Sequence, residues 1–106
     1  MAERERKRGQ VWWAKVDKGR PVLLLSRPEA YAMRRRVLAA EITTVLRRNP
    51  ATVELSRRDG LPERCIVNCD NLVTINQDQL IEFVTTLDER RMAEVKSAVL
   101  FALGDN

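Results

Sequence analysis

Apolar residues in this chain come in short bursts bounded by turn residues, and only the C-terminal stretch keeps a helical rhythm. Gln10 to Val16 alternates, with Val11 and Trp13 on one face and Trp12, Ala14 and Val16 on the other, the period of a strand. Val22 to Leu25 is an unbroken apolar run between Gly19-Arg20-Pro21 and Ser26-Arg27-Pro28, which predicts a strand buried on both faces. Pro21 suits the start of such a strand, because its missing N–H removes no ladder donor there. Asp17-Lys18-Gly19 predicts a tight hairpin turn joining the two runs. Val37–Val45, Thr52–Leu55, Cys65–Asn68, Leu72–Ile75 and Leu80–Val84 read as further strands, with a polar kink at Asp70-Asn71. Arg27–Arg36 predicts a loop with one helical turn, and Asn76–Gln79 a second short turn of helix. Asp88 then caps a helix whose Met92, Val95, Val99, Ala102 and Leu103 follow helical spacing, ended by Gly104. Five or six short strands and one full helix predict a mainly β, α+β fold built as a small barrel, not a βαβ sheet.

At 106 residues the chain has room for one domain. Residues 1–8 mix charges without periodicity and are expected as a flexible tail, leaving 9–106 as the domain. No apolar run approaches the roughly 18 residues of a membrane span, and no signal-peptide pattern opens the chain, so a cytoplasmic location is expected. The formal charge of +4 favours an acidic partner, but only modestly.

The chain has no histidine. That removes the commonest general base and any Ser-His-Asp arrangement. With two cysteines alone it is also a poor zinc ligand set, and no metal or cofactor is expected. Cys65 and Cys69, on one strand, would share a face roughly 13 Å apart at about 3.3 Å per residue, beyond disulfide reach. They are expected as buried, reduced thiols.

Candidate chemistry therefore rests on arginine. Arg20 sits at the mouth of the buried strand behind a rigid proline, where its guanidinium can project from the rim as a phosphate site requires. Arg27, Arg34, Arg35, Arg36, Arg47 and Arg48 lie between strands and are expected near Arg20 if the strands pair in order. The planar guanidinium can bind two phosphate oxygens at once, so the cluster points to nucleic acid. One tryptophan is expected in the core. The second is left either to pack in the core or against another subunit, or to stack on a base.

Arg8-Gly9-Gln10-Val11-Trp12-Trp13, Gly19-Arg20-Pro21-Val22-Leu23-Leu24-Leu25-Ser26 and Ala40-Glu41-Ile42-Thr43-Thr44 resemble the three opening blocks of the MazF/PemK toxin family. Val67 to Ile75, then Asp78-Gln79-Leu80 and the terminal helix, are similar to the rest of that pattern. The resemblance implies an SH3-like barrel of the MazF/PemK/CcdB type and a metal-independent endoribonuclease, the toxin of a type II toxin–antitoxin pair. It implies a homodimer, single-stranded RNA or RNA loops (mRNA, or rRNA or tRNA loops) in a shared groove, cleavage leaving a 2′,3′-cyclic phosphate and a 5′-hydroxyl, and a MazE-like antitoxin as partner. The family's functional arginine falls on Arg20 and its functional threonine on Thr43, or on Thr44 if the register slips by one. Lys18, Arg27, Arg34, Arg35, Arg36, Thr44, Arg47, Arg48, Asn68 and Asn71 are the expected RNA contacts. Glu41, two residues before Thr43, is either a general base or a structural partner. Two other readings share the barrel: a CcdB-like gyrase poison, and a barrel that binds RNA without cutting it. Two departures from the pattern are the short loop Asp17-Lys18-Gly19, which leaves the groove more open, and Cys69-Asp70-Asn71-Leu72 where many members carry Gln-x-Arg.

Overall fold

The computed structural model describes residues 4–105. Strands β1 (Gln10–Ala14), β2 (Arg20–Leu24), β3 (Arg36–Thr43), β4 (Thr52–Leu55), β5 (Cys65–Asn76) and β6 (Leu80–Thr86) are joined by a one-turn helix α1 (Ala30–Met33) and followed by α2 (Glu89–Ala102). They form one antiparallel sheet in the order β4-β5-β3-β2-β1-β6. The mainly β fold is as the pattern predicts, but hydrogen bonds do not close the sheet. β4 has only four residues, and its loop, not a ladder, meets β6 across the seam. Gly60 in that loop has φ +93°, and a Cβ there would come within 2.2 Å of the Thr85 hydroxyl. Only glycine lets the loop lie this close.

Two apolar clusters flank the sheet, and β2 serves both. Leu23 and Leu25 enter the cluster that holds Val95 and Ala98 of α2. Val22 and Leu24 enter the other, with Trp12, Val37 and Ile75. This is the two-sided burial the apolar run predicts.

β5 departs from expectation. The two predicted strands are one, broken in register but not in backbone: Ala40 pairs with Leu72 and the next residue, Glu41, with Asn68. Cys69-Asp70-Asn71 therefore forms a bulge, held by the Cys69 N–H donating to the Ala51 carbonyl at 2.9 Å. Cys65 and Val67 before the bulge and Cys69 within it face one cluster, and Ile75 beyond it faces the other. Both cysteines are unpaired and buried. Burial, with nearby carboxylates, pushes their thiols up to about 11, so neither is a ready nucleophile.

The charged N-terminal segment, expected as a free tail, lies against the sheet over residues 4–8; residues 1–3 fall outside the described chain. Arg4 stacks 3.8 Å over the Phe83 ring and Arg6 5.0 Å over Trp12. Arg8 donates to the Leu25 carbonyl, and Gln10 Nε2 to that of Glu5 at 3.1 Å. Arginine planes find aromatic faces here, which a reading by charge alone misses.

The loop after β4 is fixed at its other side by an ion pair. Asp59 completes a capping box with Ser56 and accepts two hydrogen bonds from the Arg91 guanidinium, at 2.9 and 3.3 Å. Its side chain is 9% exposed. Burial works to raise the Asp59 carboxyl, but Arg91 and the Ser56 N–H outweigh it and hold it below the usual carboxylate range. A depressed carboxyl stabilises the fold above its unfolded value, near pH 4, and that stability is lost as pH falls through the lower folded value. Asp59→Asn is therefore expected to cost about 1–2 kcal/mol at neutral pH. Thermal unfolding from about pH 7 to about pH 2 checks this: the gap between wild type and variant should narrow as the pH falls.

Candidate active site

Register brings the site together. Val22 of β2 pairs with Glu41 of β3, so two places further on Arg20 lies opposite Thr43. All four belong to the sheet face of Trp12 and Ala39, at the end where the apolar cluster gives out. From the other side, Glu41 pairs with Asn68 and Thr43 with Ile66 of β5.

Glu41 is the hub. Its Oε1 accepts from Arg20 Nη1 at 3.3 Å and from Asn71 Nδ2, on the β5 bulge, at 2.6 Å. The Glu41 side chain is 15% exposed and that of Arg20 is 37% exposed, so the carboxylate is shielded while the guanidinium reaches the surface. Arg20 Nε is buried with no acceptor among the described residues. An orphaned buried donor is costly. The capacity left for a ligand lies at the exposed end of the guanidinium, where Glu41 takes one Nη1 donor and the other Nη donors have no partner among the described residues. Thr43 Oγ1 accepts the Val45 N–H at 3.1 Å, which fixes the side chain and leaves its O–H free to donate.

Arg20 and Thr43 stand on the wall between two clefts. One, of about 380 Å³, is polar and is also lined by Glu41, Arg47, Asn68 and Asn71. The other, of about 260 Å³, is more apolar and is lined by Trp13, Thr44, Leu61, Pro62 and Glu63. Trp12 is the core tryptophan, its Nε1 donating to Gln10 Oε1 at 2.8 Å. Trp13 is 41% exposed and packs over the hairpin turn, where Gly19 has φ +88° and a Cβ would lie 3.0 Å from the indole Nε1.

Arg20, Thr43, Arg47, Asn68 and Asn71 thus meet at one cleft, and Thr44 opens on the second. Lys18 is exposed in the β1–β2 turn. Arg48 turns aside to Glu54 at 3.0 Å. Arg27, Arg34, Arg35 and Arg36, expected beside Arg20, lie at the other end of the sheet: Arg36 pairs with Asn76 at the start of β3. β2 runs away from Arg20, so the connection through α1 sits where β2 ends. Asn49, Thr52 and Asp70 also line the polar cleft and are not singled out by the sequence. The pairing of Thr52 with Asn68 brings β4 there, a long-range contact without local signature.

Residues 7–103 match the PemK-like, MazF-like toxin family of type II toxin–antitoxin systems. The chain belongs to the PemK/MazF family. It is 33% identical over 99 residues to the probable endoribonuclease MazF5 of Mycobacterium tuberculosis, covering 91% of each chain. The toxin MazF-mt6 of the same organism superposes with a TM-score of 0.86 at 29% identity, over 92% of this chain and 98% of that one. An endoribonuclease from a mycobacterial species, solved with its cognate antitoxin, gives 0.86 at 28% identity, over 93% of this chain and 95% of that one. This MazF-type protein is an endoribonuclease toxin of a toxin–antitoxin system. Six antiparallel strands with two helices are the architecture of these toxins.

Gly19→Ala tests the packing at the cleft rim. The positive φ and the contact with Trp13 together are expected to cost about 1–3 kcal/mol. Thermal melting reports the loss, and a shift in tryptophan emission reports displacement of Trp13.

Proposed function

We propose that this MazF-type toxin cleaves single-stranded RNA at short sequences by attack of a ribose 2′-oxygen on the adjacent phosphorus, with Arg20 and Thr43 at the reacting phosphate. The 2′-oxygen bonds to phosphorus as the bond to the 5′-oxygen breaks; the 2′-hydroxyl gives its proton to water and the departing 5′-oxygen takes one from water, leaving a 2′,3′-cyclic phosphate and a 5′-hydroxyl. Negative charge builds on the phosphate oxygens in the transition state, and a preorganised guanidinium stabilises it without a metal. The observation that carries this reading is Arg20 itself: clamped through one Nη1 donor by Glu41, it keeps its other Nη donors in reserve on the wall it shares with Thr43. Thr43, held by Val45, hydrogen-bonds a phosphate oxygen or orients the 2′-hydroxyl. Glu41 positions Arg20 and Asn71 and does not take the proton. Asn68, Asn71 and Arg47 contact the RNA in the polar cleft, as unpaired bases offer their edges to side chains.

The protein works in the cytoplasm as a homodimer with the RNA groove shared between subunits, restrained by a MazE-like antitoxin. A related toxin has been solved with its cognate antitoxin, and an acidic segment that folds on binding suits a cleft containing Arg20 and Arg47. A gyrase poison, which acts by protein contact, has no use for a phosphate site of this kind.

Cleavage of an RNA pool in EDTA tests the reading. Wild type is expected to cut, Arg20→Ala to lose about 10²–10³-fold in rate, and Thr43→Ala to lose a smaller factor. Glu41→Gln should lose only about tenfold, near 1.4 kcal/mol, where loss of a general base would cost roughly 10²–10⁴-fold. Wild type that leaves the RNA whole, or Arg20→Ala that cuts as fast, contradicts the proposal.

A further inference from the structure

The positive charge of this chain is not at its cleft. The polar cleft carries two arginines, Arg20 and Arg47, against two carboxylates, Glu41 and Asp70. Residues 4–8 and 27–36 together hold eight cations and two carboxylates, a balance of +6 in a chain whose total is +4, so everything else is net negative. Residues 4–8 meet Pro28, Tyr31 and Ala32 across one groove, and the backbone of the arginine triplet joins its end through Gln77. That groove, of about 730 Å³, is lined on one side by residues 4–8, the carboxylate Glu5 among four cations, and on the other by Tyr31, with Gln77 at its end.

The face is built on fixed backbone. Gln77 Nε2 donates to the carbonyls of Tyr31 and Arg34 at 3.1 and 2.7 Å, and its N–H donates to that of Arg35 at 2.9 Å. The arginine triplet is thereby anchored to the end of β5. Tyr31 in turn donates its hydroxyl to the Ser26 carbonyl at 2.9 Å. Arg34, Arg35 and Arg36 are exposed and meet no carboxylate among the described residues, whereas Arg20, Arg48, Arg64 and Arg91 each do.

We propose that this face is a second RNA-binding site, which takes the phosphate backbone of a long transcript without reading its sequence. This rests on the ribonuclease reading and adds the source of affinity that the near-neutral cleft lacks. Seven of the eight cations are arginines, whose fork matches phosphate oxygens. Arg36 and Thr43 begin and end β3, roughly 23 Å apart at about 3.3 Å per residue. An RNA that only fills the cleft cannot touch both. A transcript that crosses both sites is held by counterion release at one and cut at the other.

The test is a triple substitution, Arg34→Gln with Arg35→Gln and Arg36→Gln, all exposed positions, compared with the triple lysine variant, which keeps the charge. Each protein is given two RNAs sharing one cut site: an oligonucleotide just long enough to fill the cleft, and a transcript several times longer. The glutamine variant is expected to raise KM about tenfold on the long RNA, leaving kcat and the short RNA unchanged. Its log K against log salt slope should flatten by about two, at roughly 0.7 per phosphate contact. The lysine variant should recover most of the affinity. Equal effects on both RNAs, or none on the long one, overturn the proposal, as does a glutamine variant that loses only a polyglutamate probe. Anisotropy of the labelled long RNA reads the face directly, so a failure of cleavage itself is not mistaken for a failure of this site.

Discussion

The pairing of Val22 with Glu41 is the constraint on which the cleft depends. It is a backbone register, and a slip of one residue would turn every side chain of β3 to the opposite face. Glu41 would leave Arg20, and Thr43 would exchange places with Thr44. Burial prevents this. Val22, Leu23 and Leu24 have no exposed surface, and neither do Ala39 and Ala40 opposite them. A slip would put each of these side chains into the wrong cluster. The core therefore holds the site in register, and the polar residues at the end of the strands take their positions from it.

A second constraint follows from topology. β2 begins at the cleft and ends at the far side of the sheet, so an antiparallel β3 must begin far away and return. The β2–β3 connection, with its arginines, is excluded from the cleft, while β4, β5 and the Arg47-Arg48 turn are brought to it. Topology thus puts the polar cleft and the arginine-rich connection at opposite ends of the sheet, with chemistry proposed at the one and electrostatic attraction at the other. The cleft is free to be polar, nearly neutral and geometrically defined, and the far face is free to be crowded with cations whose mutual repulsion is relieved by solvent.

The strands themselves are readable because their signals are local. β2 is an unbroken apolar run between prolines, β1 alternates, and α2 has a capping aspartate and a terminal glycine. Arg20 and Thr43 are readable as a pair through family resemblance, and Arg20 also through its place at the mouth of a buried strand. What lies beyond a local reading is long-range. The bulge at Cys69–Asn71, which delivers Asn71 to Glu41, depends on a pairing with β3 that no spacing reveals. Asn49 and Thr52 reach the cleft only because β4 is laid beside β5. The far arginines look like neighbours of Arg20 when strand order is known but chain direction is ignored. The N-terminal segment, charged and aperiodic, docks through arginine–aromatic stacking that charge patterning does not register.

The central claim is that Arg20 stabilises a phosphate under attack by its own ribose. The most direct test is a pair of oligonucleotides identical except for one atom, a 2′-hydroxyl replaced by hydrogen at the nucleotide 5′ to the cut. Both are incubated with wild-type protein in EDTA, and the ends of any product are mapped. The account predicts that the ribose substrate is cut to a 2′,3′-cyclic phosphate and that the deoxy substrate binds but stays whole. Cutting of the deoxy substrate at the same bond would contradict it, because the nucleophile would then be water and not the RNA.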